Sequence, residues 1–183
     1  MQAGHRTPPP EMTANDVVAL LRLLETNGID AYVDGGWGVD ALLGRHTRRH
    51  GDLDIAIQHR DVPMLRALLG AKGYSDVPRP DTRDCNFVLG DDQGHDVDVH
   101  SYTFDADGRN VYGVDYPIES LAGAGWINGY AVKTITPEWM VRFHSGYPLD
   151  ANDYHDVLAL CEKFGLDLPD AYKRFASSGG RTE

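Results

Sequence analysis

Cysteine is scarce in this chain: Cys85 and Cys161 are its only two in 183 residues, far apart and without CxxC spacing. Neither a disulfide framework nor a zinc ribbon is expected, and both read as buried small hydrophobes in a reducing setting. Long apolar runs are also missing, for no stretch reaches the ~20 residues that a bilayer crossing needs. The N-terminus lacks the basic-then-apolar order of a secretion signal, so a soluble, cytoplasmic protein with no membrane partner is expected. Positive charge is in deficit, with 17 Lys and Arg against 28 Asp and Glu and a net charge of −11. Nucleic-acid binding rests on cations neutralising phosphates, so no nucleic-acid partner is expected. No internal repeat is visible.

What remains is an ordinary globular composition, 42% hydrophobic and 25% charged, which predicts order everywhere except the ends. We expect a flexible N-terminus over 1–12, with Pro8, Pro9 and Pro10, a core over 13–136, a C-terminal helical segment of the same compact unit over 137–176, and a loose tail over 177–183. Apolar spacing predicts a helix over Thr13–Asn27, with Thr13 as N-cap and Asp16 closing a capping box. A strand follows over Ile29–Val33, then a helix over Trp37–Leu43 closed by Gly44. Further on we expect a strand over Leu53–Ile57, a helix over Val62–Leu69 and a strand over Tyr74–Val77. A hairpin is expected from Asn86–Leu89 and Val97–Tyr102, and a second over Trp126–Thr136 turning at Asn128-Gly129. Helices from Pro137 and over Asn152–Phe164 complete an α+β arrangement.

The informative stretch is Asp34–Ile57. Gly35 and Gly36 stand between a strand and a helix, where a backbone without side chains can approach a phosphate and the helix N-terminus supplies N–H groups and positive dipole. Asp52 and Asp54 are two apart in a strand and so point the same way, while Leu53, Ile55 and Ile57 point to the core. Like charges that close are costly unless a cation bridges them, and Mg2+ is a hard ion that takes such oxygen ligands and shares them with phosphates. HDVDVH at 95–100 repeats the pattern: Asp96, Asp98 and His100 share a face, and Asp98 becomes a third carboxylate if the two strands are neighbours.

Between these features lies a concentration of base, Arg45, His46, Arg48, Arg49 and His50. His46 and His50 are four apart, as in a zinc helix, but the glutamate of that motif is absent and two fixed positive charges lie between. Phosphate contact by Arg48 and His50 is the better use. Gly36-Trp37-Gly38-Val39-Asp40-Ala41 imitates the dinucleotide fingerprint, but its acidic partner is misplaced and Trp37 is too bulky for the turn. Asp153 and Asp156 read equally as carboxylates over the site or as a solvated helix face. Of the aromatics, Tyr112, Tyr116, Trp126, Tyr130, Trp139 and Tyr147 are candidates to line a substrate pocket.

GGWGVDALLG, the basic loop, DLDIAI, VDVH, PEWMVRFHSGY and HDVLALCEKFG, taken together from about Ile29 to about Leu168, resemble the lincosamide nucleotidyltransferases, relatives of the aminoglycoside 2''-adenylyltransferases in the polymerase-β-like superfamily. The resemblance implies an α+β polymerase-β-like nucleotidyltransferase fold, a mixed sheet flanked by helices with a C-terminal helical segment. It implies transfer of AMP from ATP to an antibiotic hydroxyl with Mg2+ and release of pyrophosphate. By matched position, Gly35 and Gly36 belong to the phosphate turn, Asp52 and Asp54 to the metal site, Asp98 to its third carboxylate, and His100 either touches substrate or supports the metal ligands from behind; the chemistry of the residues themselves adds Asp98 as the base and Arg48 and His50 as phosphate contacts. Tyr112 and Trp126 are added as substrate-binding candidates. The partners expected are ATP and a small-molecule antibiotic, with a homodimer left open. An aminoglycoside 2''-hydroxyl, a protein side chain as acceptor, and a non-catalytic nucleotide sensor remain as alternatives.

Overall fold

Thr13 caps the first helix as its spacing predicts: its hydroxyl accepts the Asp16 N–H, and the Asp16 carboxylate accepts the Thr13 N–H at 2.9 Å. Helix α1 (Ala14–Thr26) then buries Val17, Leu20, Leu21 and Leu24. The computed structural model describes residues 10–145 and 148–177, so the loose ends expected over 1–12 and 177–183 fall largely outside the described residues, as does Tyr147. Strand β1 (Ala31–Val33) leads into α2 (Gly35–Leu43), β2 (Asp52–Gln58), a 3-10 turn and α3 (Val62–Gly70). After β3 (Ser75–Val77), β4 (Asn86–Gly90), β5 (Asp96–Phe104) and β6 (Asn110–Gly113) comes the β7 (Gly123–Ile127) and β8 (Tyr130–Thr134) hairpin. Asn128 and Gly129 both carry positive φ, 48° and 75°, as the predicted two-residue turn requires. The chain ends in α4 (Pro137–Phe143), α5 (Ala151–Phe164) and α6 (Asp170–Ser177).

The sheet is mixed, in the order β3-β4-β5-β2-β1-β8-β7 with β6 paired to β5. Its parallel pairs are β2 with β5 and β1 with β8. Alternation along β2 and β5 sends Leu53, Ile55, Ile57, Val97 and Val99 into a core with α1 and α3. Ala56 and Tyr102 join a second core with α4, α5 and α6. Helix α2 bridges the two, giving Trp37 and Ala41 to the first and Val39, Leu42 and Leu43 to the second. The mixed sheet with helices on both sides is the architecture that the α+β expectation described. Two elements differ from it. The short strand β6 was not among the expected strands, and α6, with just Tyr172 and Phe175 buried, has too polar a sequence to announce itself. No helix among the described residues is long and apolar enough to cross a membrane.

Helix α2 is held closely on both sides. A side chain at Gly125 of β7 would place its Cβ 2.3 Å from the Ala41 carbonyl oxygen, and neither backbone can retreat. Gly125→Ala is therefore expected to cost about 2–3 kcal/mol, or about 5–10 °C in Tm for a chain of this size, measured by thermal melting. At its far end, Lys163 of α5 donates from Nζ to the Leu42 and Leu43 carbonyls, both at 2.9 Å, satisfying acceptors that a helix C-terminus leaves open.

Candidate functional site

The carboxylates meet because β2 and β5 run side by side in register. Asp54 is the direct partner of Asp98, and Asp52 of Asp96, so the third carboxylate of the sequence reading arrives beside the first two. Ligand atoms of Asp54, Asp98 and His100 all lie within 4.8 Å of one another. His100 Nε2 is 3.7 Å from Asp98 Oδ1 and 4.0 Å from Asp54 Oδ1. Asp52 stands at the rim, more exposed than the other two.

These neighbours set each other's protonation. Crowding by the surrounding chain, then the charges of Asp54 and Asp98, raise the Asp52 carboxyl to about 6. Asp98 rises to about 6 by burial and by Asp54, although His100 pulls it down. For His100, burial opposes the charged ring, but Asp54, Asp98 and Asp34 outweigh it and hold the imidazole up at about 9. The site is a knot of negative charge that one imidazolium only partly relieves, and its oxygen-rich donor set fits a hard divalent cation.

Against this knot lies the N-terminus of α2. It starts two residues earlier than the predicted helix because Asp34 caps it, accepting the Gly35 N–H at 2.8 Å. Asp34 also accepts the buried Tyr116 hydroxyl at 2.8 Å. By geometry the N–H groups of Gly36 and Trp37 have no intrahelical acceptor, so the turn can receive an anion. Gly35 has φ +54°, and a Cβ there would fall 2.1 Å from Asp54 Oδ2. The glycine turn and the Asp54 carboxylate are thus in contact, and only glycine fits between them. Gly35→Ala is expected to displace Asp54 and lower turnover about 100-fold, since a shift of about 1 Å has that effect on a reacting geometry. Steady-state kinetics beside a thermal melt would separate this from unfolding.

The basic loop passes behind the same turn. A Cβ at Gly36 would meet His50 Nδ1 at 2.4 Å and Arg48 Nη2 at 2.7 Å, so both side chains lie against the N-terminal turn of α2. Both are already engaged. Arg48 donates to Asp156 of α5 through Nη2 at 2.8 Å and through Nε at 3.2 Å, and buried His50 holds its Nε2 2.6 Å from Asp40 Oδ2. Asp156 is 1% exposed, which corrects the solvated-face reading, whereas Asp153 serves the α5 capping box with Asp150.

Tyr112 and Trp126 are not gathered with the carboxylates. Tyr112 is exposed on β6 and packs on the His59 ring at 4.6 Å. Trp126 lines a different cavity, beside His46 and the end of α2. The cavity that contains Asp52 and Asp98 holds about 310 Å3 and is lined instead by Arg79, Asp81, Asn86 and Asp96. Asp34 and Asp40 had no assigned role in the sequence, and nothing in it paired Tyr116 with Asp34 or Asp156 with Arg48. Their partners are 7 to 108 positions away, and only the capping position of Asp34 before Gly35-Gly36 carried a local signal.

Comparison with known proteins places this geometry in context. A family profile described as aminoglycoside-2''-adenylyltransferase matches residues 16–160. A lincosamide resistance protein of Staphylococcus haemolyticus is 28% identical over 156 residues, 80% of this chain and 92% of that protein. Among solved structures, the lincomycin-bound lincosamide antibiotic adenylyltransferase LnuA superposes with a TM-score of 0.72 at 24% identity, covering 82% of this chain and 98% of the other. ANT(2'')-Ia in complex with adenylyl-2''-tobramycin superposes with 0.69 at 19% identity, covering 90% and 95%. The two structural likenesses show the fold.

Proposed function

The chain belongs to the aminoglycoside-2''-adenylyltransferase family, and from that premise we propose that it transfers AMP from ATP to a hydroxyl of a lincosamide antibiotic in the cytoplasm, releasing pyrophosphate. The observation that carries the reading is Asp54 and Asp98 in register on adjacent parallel strands, with Asp54 against the glycine turn. The acceptor class is supported by the lincosamide resistance protein, which matches along most of both chains.

Asp52, Asp54 and Asp98 would hold Mg2+, which when bound neutralises the triphosphate and polarises its phosphoryl oxygens. The rest falls to the chain. The α2 N-terminus, at Gly35 and Gly36, receives the phosphates with Arg48 and His50 behind it. Asp98, with its carboxyl near 6, takes the proton of the acceptor hydroxyl as that oxygen attacks the α-phosphorus, and pyrophosphate leaves. His100 steadies the charge of Asp54 and Asp98 from two positions further along β5, on the same face.

An aminoglycoside acceptor is the second reading, favoured by one feature: the cavity beside Asp98 is lined by Asp52, Asp81 and Asp96 against the single cation Arg79, which suits a polycationic sugar. One experiment addresses both. Incubation with Mg·ATP and a panel of lincosamides and aminoglycosides should give, by mass spectrometry, an antibiotic heavier by one AMP. Modification confined to aminoglycosides would select the second reading, and no acceptor-dependent pyrophosphate release would remove both.

A further inference from the structure

We propose that Asp40, His46 and His50 form a second metal site, distinct from the carboxylate centre and suited to a borderline transition ion such as Zn2+ or Co2+. Two objections arise from sequence alone, and the fold answers each. The His46/His50 pair lacks the glutamate of a zinc helix, and Asp40 of α2 supplies a carboxylate in its place: the donor atoms of Asp40, His46 and His50 lie within 4.8 Å of one another. Two fixed positive charges stood between the histidines, and both are committed elsewhere, Arg48 to Asp156 at 2.8 Å and Arg49 to Glu11 at 2.8 Å.

The Asp40 carboxylate is divided between two tasks. Its Oδ1 accepts the Thr47 hydroxyl at 2.5 Å, and the Thr47 N–H is shared between Oδ1 at 3.1 Å and Oδ2 at 3.2 Å, which fixes its orientation. Its Oδ2 faces both imidazoles, 2.6 Å from His50 Nε2 and 4.0 Å from His46 Nε2. Ligands on a tetrahedral zinc at bond lengths of about 2.0–2.1 Å stand about 3.3 Å apart, midway between these separations. Closure would open the first separation and shorten the second by about 0.7 Å each and bring the two imidazoles together from within 4.8 Å, and the proton on His50 Nε2 must move to Nδ1 or leave to solvent.

A carboxylate held by its second oxygen and two imidazoles make up a donor set that selects zinc-like ions over Mg2+. Access is open: His46 is exposed, stacks on Trp37 at 5.1 Å, and borders a cavity of about 290 Å3 that Trp126 also lines. Trp37 Nε1 is buried and has no partner among the described residues, so a water in this cavity completing the coordination has a donor nearby. The ion would fasten the basic loop to α2 just behind the phosphate turn.

The test is independent of the adenylyl-transfer reading, because it measures metal uptake and not turnover. Chelator-stripped protein is titrated with Co2+ and followed by visible absorption and by metal content, with three proteins compared. In both wild type and Asp98→Asn, one Co2+ per chain is expected to show the intense bands of four-coordinate cobalt, while any Co2+ at the oxygen-rich carboxylate centre gives only the weak bands of higher coordination and falls away with Asp98→Asn. His46→Ala, a change at an exposed ring that leaves the fold intact, is expected to bind at least about ten-fold more weakly. Four-coordinate uptake that survives His46→Ala unchanged, four-coordinate uptake that disappears with Asp98→Asn, or no four-coordinate uptake by wild type would each overturn the proposal.

Discussion

Asp98→Asn is expected to lower AMP transfer on the order of 10³-fold, within the range attributable to a positioned general base, while making the metal-free protein more stable. The two outcomes have one cause. Asp52 and Asp98 bind protons near pH 6 in the fold against 3.8 in the unfolded chain, and His100 near 9 against 6.5. Each native group holds its proton more tightly than the unfolded chain does, so this site contributes stability that declines as pH rises, between about 4 and 9. Without a divalent cation, Tm should therefore climb as pH is lowered from about 8 to 5. Asp98→Asn should flatten that climb and raise Tm at pH 7 to 8, and saturating Mg2+ should do the same for wild type. Activity assays with saturating Mg·ATP, beside melts with and without Mg2+, would check this. A variant that turned over normally would take the base role from Asp98.

The second large effect lies at the Arg48–Asp156 pair. Asp156→Asn leaves a half-buried guanidinium without its counter-charge, at an expected cost of about 3–5 kcal/mol and about 10 °C in Tm. An Arg48→Met/Asp156→Leu double variant replaces both charges with apolar volume, and its Tm should return close to wild type. Nucleotide affinity should not return with it. Arg48 stands 2.7 Å from the point where a Gly36 side chain would begin, and the double variant is expected to bind Mg·ATP at least about ten-fold more weakly, since a guanidinium fork on phosphate is worth that much. Calorimetric titration beside the melt separates the two roles. If affinity recovers together with Tm, the pair is a brace and nothing more.

The centre of the site was legible because its chemistry is local. Asp52 and Asp54 share a face by alternation, Gly35 and Gly36 precede a helix, and Thr13 with Asp16 spells its own cap. What joins Asp98 to them is a strand pairing across 44 positions, which the sequence could only make conditional on adjacency and which the register of β2 and β5 supplies. The loop was read through its charges, yet those charges find their partners, Glu11 and Asp156, at the two ends of the chain, where no periodicity points. Trp126 misled for a similar reason. Its aromatic character was visible, but which face of a hairpin meets which cavity is decided by the order of strands, with β7 placed at the far edge of the sheet.

The two contacts of α5 with α2 carry a consequence for how the protein is made. Asp156, through Arg48, reaches the beginning of α2, and Lys163 reaches its end. Seven residues of helix span about 10 Å, so the two helices run in the same sense and one splints the other along its length. Yet α2 is synthesised more than a hundred residues before its splint. On a ribosome that delivers about 5–20 residues per second, the phosphate turn waits several seconds with Arg48 unpaired and the Leu42 and Leu43 carbonyls open. The N-terminal turn of α2, early in the chain, is therefore among the last parts to be finished, and on the proposed function a nucleotide would find it complete only once the C-terminal helices have docked.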